Sequence, residues 1–315
     1  IGIFRPGGAR PPVAEVIAFM DDHRGEHGVE PMCRVLNIAP STWHAHAAAR
    51  ANPDLRSKRA QEDERLSAAI LRVHAENFGV YGARKVWRQL LREGFDAGRD
   101  RVARLMRRQG LEGVRRGRRV RTTLSDKTAP CPLDKVNRHF TADRPNRLWV
   151  GDFTYVPTWA GMVYVAFVID VFARRIVGWR ASQTASTQFV LDALEQAVHM
   201  RRPTEPGLIH HSDQGVQYVS IKYTERLAEA GIEPSVGSVG DSYDNALAET
   251  VIGLFKTEVI HRQGPWRGLA AVEIATMVWV DWYNTRRLLG SIGDIPPVEA
   301  EANHHAALEA TPMAA

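Results

Sequence analysis

The hydrophobic pattern of this 315-residue chain changes period at Leu148, and that change restricts the fold more than any other feature. Upstream, apolar residues recur at three- and four-residue spacing, as amphipathic helices require. Downstream, Leu148–Val156, Met162–Val171 and Arg175–Ser182 are rich in β-branched and aromatic residues. Only short turns at Trp159-Ala160-Gly161 and Ala173-Arg174 separate them. Links this short join antiparallel neighbours, so a three-stranded meander is expected. Helical spacing returns at Ala185–Arg201, with Phe189, Val190, Ala193, Leu194 and Ala197 on one stripe. A short strand at Gly207–His211, a helix at Ile221–Ala230, a strand at Ile232–Val236 and a long helix at Ser242–Ile260 complete the series. Three strands, then helix, strand, helix, strand, helix, make a mixed α/β layer.

The upstream half reads as all-α. Val13, Val16, Ile17 and Met20 form one helical stripe, and Glu30–Leu36 and Pro40–Arg50 read as helix, turn, helix. Leu66, Ala69, Ile70 and Val73 mark a helix over Glu62–Glu76. Helices at Ala83–Glu93 and Asp100–Gln109 follow, punctuated by Gly79, Gly82, Gly94, Gly98 and Gly110. Three short helices with glycine turns predict a helix-turn-helix module. Its last helix turns Val102, Leu105 and Met106 inward and carries Arg101, Arg104, Arg107 and Arg108.

Charge is concentrated here. The chain has a net charge of +5. The segment Arg84–Arg121 holds fourteen Lys and Arg against four Asp and Glu, a local +10, which leaves −5 elsewhere. A basic block joined to an acidic remainder suits a nucleic-acid partner for the block, so Arg84, Lys85, Arg101, Arg104, Arg107 and Arg108 are the expected DNA contacts. The expected organisation is an N-terminal helical region (1–60), a helix-turn-helix DNA-binding module (61–115), a basic linker (116–143), a catalytic core (144–262) and a C-terminal helical extension and tail (263–315). Two cysteines, Cys33 and Cys131, offer neither a disulfide framework nor a zinc spacing. The longest apolar stretch, Met162–Ile169, falls far short of the ~18 residues of a membrane span. No signal peptide is legible, so a cytoplasmic, nucleoid-associated setting without membrane contact is expected. The chain begins with Ile1 rather than Met, as a fragment, a processed product or one part of a fusion would.

Three acidic residues stand out by their location in the sequence. Asp152 interrupts an otherwise apolar strand, which is costly unless the group is paired or coordinated. Asp213 follows the fourth strand, and the carboxyl ends of strands are where α/β sheets place functional groups. Glu249 lies on the long helix. Sixty residues separate Asp152 from Asp213, and thirty-five separate Asp213 from Glu249. Asp241 and Asp244 do not fit that spacing and read as helix caps, and Asp170 reads as a strand end. At 100° per residue, Asn245 and Lys256 fall within 40° and 20° of Glu249, so the three share a polar helix face. Leu247, Val251, Leu254 and Phe255 form a separate apolar stripe. His210 and His211 are expected to pack beside the site rather than act in it. Trp149, Trp179, Trp279 and Trp282 are expected in the core, and Tyr218 and Ser238 near the cleft.

The element order is that of the ribonuclease-H-like fold, and the 35-residue interval resembles that of Asp-Asp-Glu transposases and retroviral integrases. The segments Pro145-Asn-Arg-Leu-Trp-Val-Gly-Asp152, Tyr164-Val-Ala-Phe-Val-Ile-Asp170, Ala173-Arg-Arg-Ile-Val-Gly-Trp179, His211-Ser-Asp-Gln-Gly215, Ser242-Tyr-Asp-Asn-Ala246 and Asp281-Trp-Tyr-Asn284 resemble the second-frame transposase protein of the insertion sequence 3 family, of the insertion sequence 6110 type. Tyr81-Gly-Ala-Arg-Lys85 matches the family's helix-turn-helix segment. The expected fold class is therefore a ribonuclease-H-like, retroviral integrase-type α/β core preceded by an all-α helix-turn-helix region.

The resemblance implies a metal-dependent polynucleotidyl transferase that cleaves the element's inverted-repeat ends and joins the freed 3′-hydroxyl to a new phosphodiester. Asp152, Asp213 and Glu249 would be its catalytic and metal-binding residues, and two Mg²⁺ or Mn²⁺ ions its cofactors. Lys256, seven residues after Glu249, is implied to contact the DNA end. Also implied are a circular intermediate, assembly as a multimer on double-stranded DNA, and a first-frame segment, fused or separate, that brings a leucine zipper not visible here. A non-catalytic DNA-binding regulator of transposition and a metal-dependent nuclease of the same fold are the alternative readings.

Overall fold

The computed structural model describes residues 11–115, 141–212, 217–218, 220–236 and 246–310. The chain divides into two compact units, Ile1–Ile70 and Leu71–Ala315. In the first, α1 (Val13–His27), α2 (Val29–Val35) and α3 (Pro40–Ala51) enclose a small core. Val16, Ile17, Met20, Met32, Cys33, Leu36 and Trp43 fill it. The Trp43 indole N–H donates to Asp21 Oδ1 at 3.1 Å, which satisfies the one polar atom that the ring carries inward. Val16, Ile17 and Met20 of the expected stripe thus meet in one cluster, whereas Val13 is exposed.

Helix α4 (Lys58–Glu76) leads into α5 (Ala83–Arg92) and α6 (Arg99–Arg108). Gly94 (φ 84°) and Gly110 (φ 65°) follow α5 and α6 in the left-handed conformation that glycine adopts most readily. Val86, Leu90, Val102, Leu105 and Met106 are buried, as their spacing predicts.

The second unit is built on a five-stranded sheet ordered β3-β2-β1-β4-β5. Its strands are β1 (Leu148–Thr158), β2 (Gly161–Asp170), β3 (Arg175–Ser182), β4 (Ile209–Ser212) and β5 (Glu233–Val236). The expected meander is present: β1 pairs antiparallel with β2, and β2 with β3. The later strands add in parallel, β4 beside β1 and β5 beside β4. Helix α7 (Thr187–Arg201) covers one face with Phe189, Val190, Ala193, Leu194 and Ala197. Gly178 on β3 lets it come close, because a Cβ there would lie 2.1 Å from the Ala193 carbonyl oxygen. Helix α8 (Ile221–Glu229) joins β4 to β5.

The long helix expected over Ser242–Ile260 differs from expectation. Residues 242–245 lie outside the described residues. From Ala246 the helix is regular as far as Phe255 (α9), then widens into a π-helical segment, Lys256–Ile260, and ends in the turn α10 (His261–Gln263). The reason lies at Glu258, a buried carboxylate that sequence periodicity does not mark. It accepts from the Trp279 indole at 3.1 Å and from Arg287 Nε at 3.1 Å and 3.2 Å. The Thr257 hydroxyl donates back to the Gly253 carbonyl at 2.6 Å, as side chains do where a helix departs from α geometry.

Trp279 lies on α11 (Leu269–Thr285), which clamps the unit together. Asn284 closes two hydrogen bonds with the backbone of Ile176 on β3, at 2.9 Å and 2.8 Å. Trp282 donates to Asn77 Oδ1 at 3.0 Å, and the backbone N–H of Leu288 donates to the Tyr81 hydroxyl at 2.7 Å. Helix α12 (Pro297–Ala310) adds Glu301, buried against Arg175 and Arg201, while Asp170 accepts from the backbone N–H groups of Asn146 and Phe172. Of the expected core tryptophans, Trp149, Trp279 and Trp282 are buried, whereas Trp179 is only half-buried, on an edge strand.

Removing one partner from a buried, hydrogen-bonded ion pair strands the other. Glu258→Gln is therefore expected to lower unfolding free energy by about 3 kcal/mol, read by urea denaturation. A loss below about 1 kcal/mol would show that the pair is not a structural tie.

Candidate active site

Asp152 sits in β1 opposite Phe167 of β2. Its carboxylate is half-buried, and Oδ1 accepts from the backbone N–H of Phe153 at 2.7 Å. Gly151, one residue earlier, pairs with Ser212, the last residue of β4. Asp213 follows Ser212 in the chain and lies outside the described residues, as do Asn245 and Ser238. Glu249 lies in the first turn of α9 and is half-buried. The helix points its Leu247, Ala248, Val251, Ile252 and Phe255 into the protein, and Phe255 packs against Phe167 and Trp279 at centroid distances of 5.3 Å and 5.2 Å. That apolar footing fixes which side of the helix remains for Glu249.

One open cavity of about 470 Å³ collects the result. Asp152, Tyr155, Glu249, Thr250, Gly253 and Lys256 are among the residues that line it. The structure therefore brings Asp152, Glu249 and Lys256 to one cavity, although 96 residues separate Asp152 from Glu249 in sequence. Lys256 Nζ lies 5.2 Å from the ring centroid of Tyr155, within cation–π range. Sequence reasoning missed Tyr155, which lies three residues beyond Asp152, so strand alternation alone would set the two on opposite faces. Among the described residues, no group of three His, Cys, Asp or Glu side chains could hold a metal ion.

The two histidines of β4 are packed under the site. His210 is buried, and its Nε2 and the Tyr223 hydroxyl are hydrogen-bonded at 3.2 Å. Burial, with His211 beside it, pushes its pKa down to about 3, so the ring is neutral at neutral pH. His211 Nδ1 lies 2.9 Å from the Ser235 hydroxyl. Gly151 exists to admit His210: a Cβ there would fall 2.8 Å from Cε1 and 2.9 Å from Nε2 of that ring. Tyr218, expected near the cleft, is buried in an aromatic cluster with Phe153 and Tyr223, so it cannot present its ring to a ligand.

The basic residues separate into two sets. Arg107 and Arg108 are exposed at the end of α6, and Arg101 and Arg104 are half-buried. Arg84 pairs with Asp294 at 3.4 Å, and Lys85 Nζ lies 5.2 Å from the Tyr81 ring centroid. Arg84 is thus engaged within the protein, while Arg107 and Arg108 present open cations.

Comparison with known proteins agrees with this architecture. An HTH-like domain family matches residues 61–119, and integrase core domain families match residues 142–242 and 230–297. The chain is 56% identical over 300 residues to the transposase for insertion sequence element IS629 of Shigella sonnei, covering 95% of this chain and 100% of that one. It is 54% identical over 275 residues to the putative transposase for insertion sequence element IS986/IS6110 of Mycobacterium tuberculosis (strain CDC 1551 / Oshkosh), covering 86% and 97%. It is 35% identical over 246 residues to the transposase for insertion sequence element IS904 of Lactococcus lactis, covering 78% and 96%.

The fold is the ribonuclease-H-like integrase core, and the class is that of the DDE-type polynucleotidyl transferases. Within that class the chain belongs to the insertion sequence 3 family of transposases, together with the IS629 and IS986/IS6110 relatives. Its HTH-like domain accords with DNA as the partner. No helix among the described residues is long and apolar enough to cross a membrane.

Gly151→Ala is expected to push His210 off Tyr223 and cost roughly 1–3 kcal/mol by overpacking. Thermal unfolding of the variant checks this. An unchanged melting temperature would mean that β1 and β4 are not in the contact described.

Proposed function

We propose that this transposase cuts the inverted-repeat ends of its own insertion sequence and joins them to a new phosphodiester, with Asp152, Asp213 and Glu249 as the residues that hold the reacting centre. The observation that carries this reading is the cavity in which Asp152, Glu249 and Lys256 meet. The β1–β4 register supports the inclusion of Asp213, since Ser212, its predecessor, pairs with the residue before Asp152. Carboxylates are oxygen donors suited to hard cations, and three of them close together would repel without one. The donor set therefore fits Mg²⁺ or Mn²⁺, two ions being the number that the phosphoryl-transfer chemistry favours. Bound there, divalent metal supplies neutralisation of the charge that builds on the attacked phosphate and a lowered pKa for the attacking water.

The chain's own residues do the rest. Asp152 and Glu249 fix the place of reaction from two elements, a strand and a helix, whose relative position the core locks. Lys256 holds the phosphate backbone of the DNA end beside the carboxylates, with Asn245, just before α9 in sequence, as a second contact. In the first step water attacks the phosphodiester at the element end, and the bond to the 3′-oxygen breaks to leave a free 3′-hydroxyl. In the second, that hydroxyl attacks a new phosphodiester, whose 3′-oxygen leaves. Charge and bonds balance with no protein-bound intermediate and no nucleotide cofactor. Arg84, Lys85, Arg101, Arg104, Arg107 and Arg108 bind DNA outside the cavity, Arg107 and Arg108 foremost because they are exposed. The protein works as a multimer on paired ends, at the nucleoid in the cytoplasm, and takes a first-frame segment as fusion or partner.

The decisive experiment is cleavage and joining of labelled element-end DNA with Mg²⁺ or Mn²⁺. Glu249→Gln is expected to lower both at least about a hundred-fold while leaving DNA binding in place. Retained joining in that variant would remove Glu249 from the reacting centre, and cutting without joining would favour a nuclease.

Metal occupancy has its own readout. Mn²⁺ at saturating concentration is expected to raise the melting temperature by several degrees, through binding to the folded state alone. The rise should disappear in Asp152→Asn. Equal melting temperatures of the native chain with and without metal would count against the metal reading.

A further inference from the structure

The catalytic cavity does not end at Lys256. Tyr155 and Lys256 also line a second open groove, of about 630 Å³, that runs out along the β1–β2 hairpin. Pro157, Trp159, Trp266 and His261 are among its other lining residues. Among the described residues no Asp or Glu lines it, and Lys256 is the lysine that it shares with the cavity.

Three observations give the groove a ligand class. First, Trp159 at the hairpin tip is 72% exposed and Tyr155 is 58% exposed, an arrangement that wastes two large aromatic rings unless something covers them. Second, the rings stand on a firm base. The backbone N–H of Trp159 donates to the Trp266 carbonyl at 2.9 Å, and the buried Trp266 indole donates to the Ile260 carbonyl at 3.0 Å. Third, the groove is continuous with the cavity assigned to the phosphodiester, through the very lysine that would hold a phosphate. Exposed aromatic faces beside a cation, with no carboxylate to repel a polyanion, suit a nucleobase on a phosphate backbone. A base within duplex DNA offers no free face, so the base must be unpaired.

Resting on the function proposed above, we propose that this groove receives an unpaired nucleotide next to the reacting phosphodiester, with its base stacked on Trp159 and its phosphate beside Lys256. The site would hold the strand open where it is cut, and so convert the unstacking of the end into contacts with the protein.

The test compares two duplexes bearing the element end, one fully paired and one with two unpaired nucleotides flanking the cleavage position, bound in Ca²⁺ to the whole chain. The native protein is expected to bind the unpaired form about ten-fold more tightly. Trp159→Ala should lose that preference yet bind the paired form as before, and Trp159→Phe should keep most of it. A 5-iodouracil placed at the unpaired position should crosslink to the peptide containing Trp159. Because Trp159 is a surface residue, its loss should leave the melting temperature unchanged.

No preference in the native protein, or equal weakening on both duplexes in Trp159→Ala, overturns the proposal. So does an unchanged preference in a Trp159→Ala protein that has lost self-association, which would make a second copy of the chain the occupant. An intact preference in a protein that cuts no DNA with Mg²⁺ or Mn²⁺ would instead sink the catalytic reading and leave the nucleotide site standing.

Discussion

The pairing of Glu258 with Arg287 holds the rest of the second unit in place. Both side chains are nearly buried, at 6% and 4% exposure, and their hydrogen bonds join the end of α9 to the residues after α11. Taking two charges out of water is costly, and their attraction repays that only with good geometry and further hydrogen bonds. Here the further bond comes from Trp279, while the Arg287 guanidinium lies 5.9 Å and 5.7 Å from the Trp282 and Tyr283 ring centroids. An apolar pair could supply as much stability. It could not supply the direction, because a carboxylate held by a planar guanidinium fork and one indole can sit in only one orientation. That orientation passes straight up the helix to Lys256, two residues earlier, and the π-helical widening is the local adjustment that lets Glu258 reach inward while Lys256 faces the cavity.

The same helix α11 ties two parts of the second unit together. Asn284 closes on the Ile176 backbone of β3, and Trp282, about 200° around the helix, closes on Asn77. The sheet in turn sets the distance between Asp152 and Glu249. β1 is central, between β2 and β4, and Asp152 pairs with Phe167 of β2 one residue past the end of the β1–β4 ladder. A central strand is a rigid mount for a charged group, and the helix is fixed by Phe255 against Phe167 and Trp279. Preorganisation at the cavity is thus a property of the core beneath it.

Much of this was legible in the sequence, and what was not has a physical reason. The meander followed from short links, the buried faces of α6 and α7 from period, and the pairing of Glu249 with Lys256 on one side of the helix from rotation alone. Period says nothing about partners distant in sequence. Glu258 reads as one more polar residue on a soluble helix, and only Arg287 and Trp279 make it a buried tie. Likewise Gly151 reads as a weak point in a strand until His210, from another strand, fills the space that a Cβ would need. Tyr155 and Trp159 were invisible as a platform because both look like ordinary strand and turn residues. Their importance comes from exposure on a shared wall with Lys256, which is a property of the surface.

Charge distribution shows the same division between local and distant information. Counted along the chain, Arg84–Arg121 is a block of local charge +10. Folded, Arg84 and Arg88 share Asp294, and Arg92 pairs with Glu299, all acids from the far end of the sequence. These pairs are exposed, and each contributes little stability. They nonetheless engage three cations of α5, whereas Arg107 and Arg108 of α6 are exposed. Salt acts on exposed charge within about a Debye length, so a DNA contact made by α6 is screened strongly. A phosphate beside Lys256 would sit against an aromatic ring in a cavity and be screened less. Under the function proposed above, the fold would therefore separate two kinds of DNA contact, an outer one at α6 that salt adjusts and an inner one beside Lys256 that geometry sets.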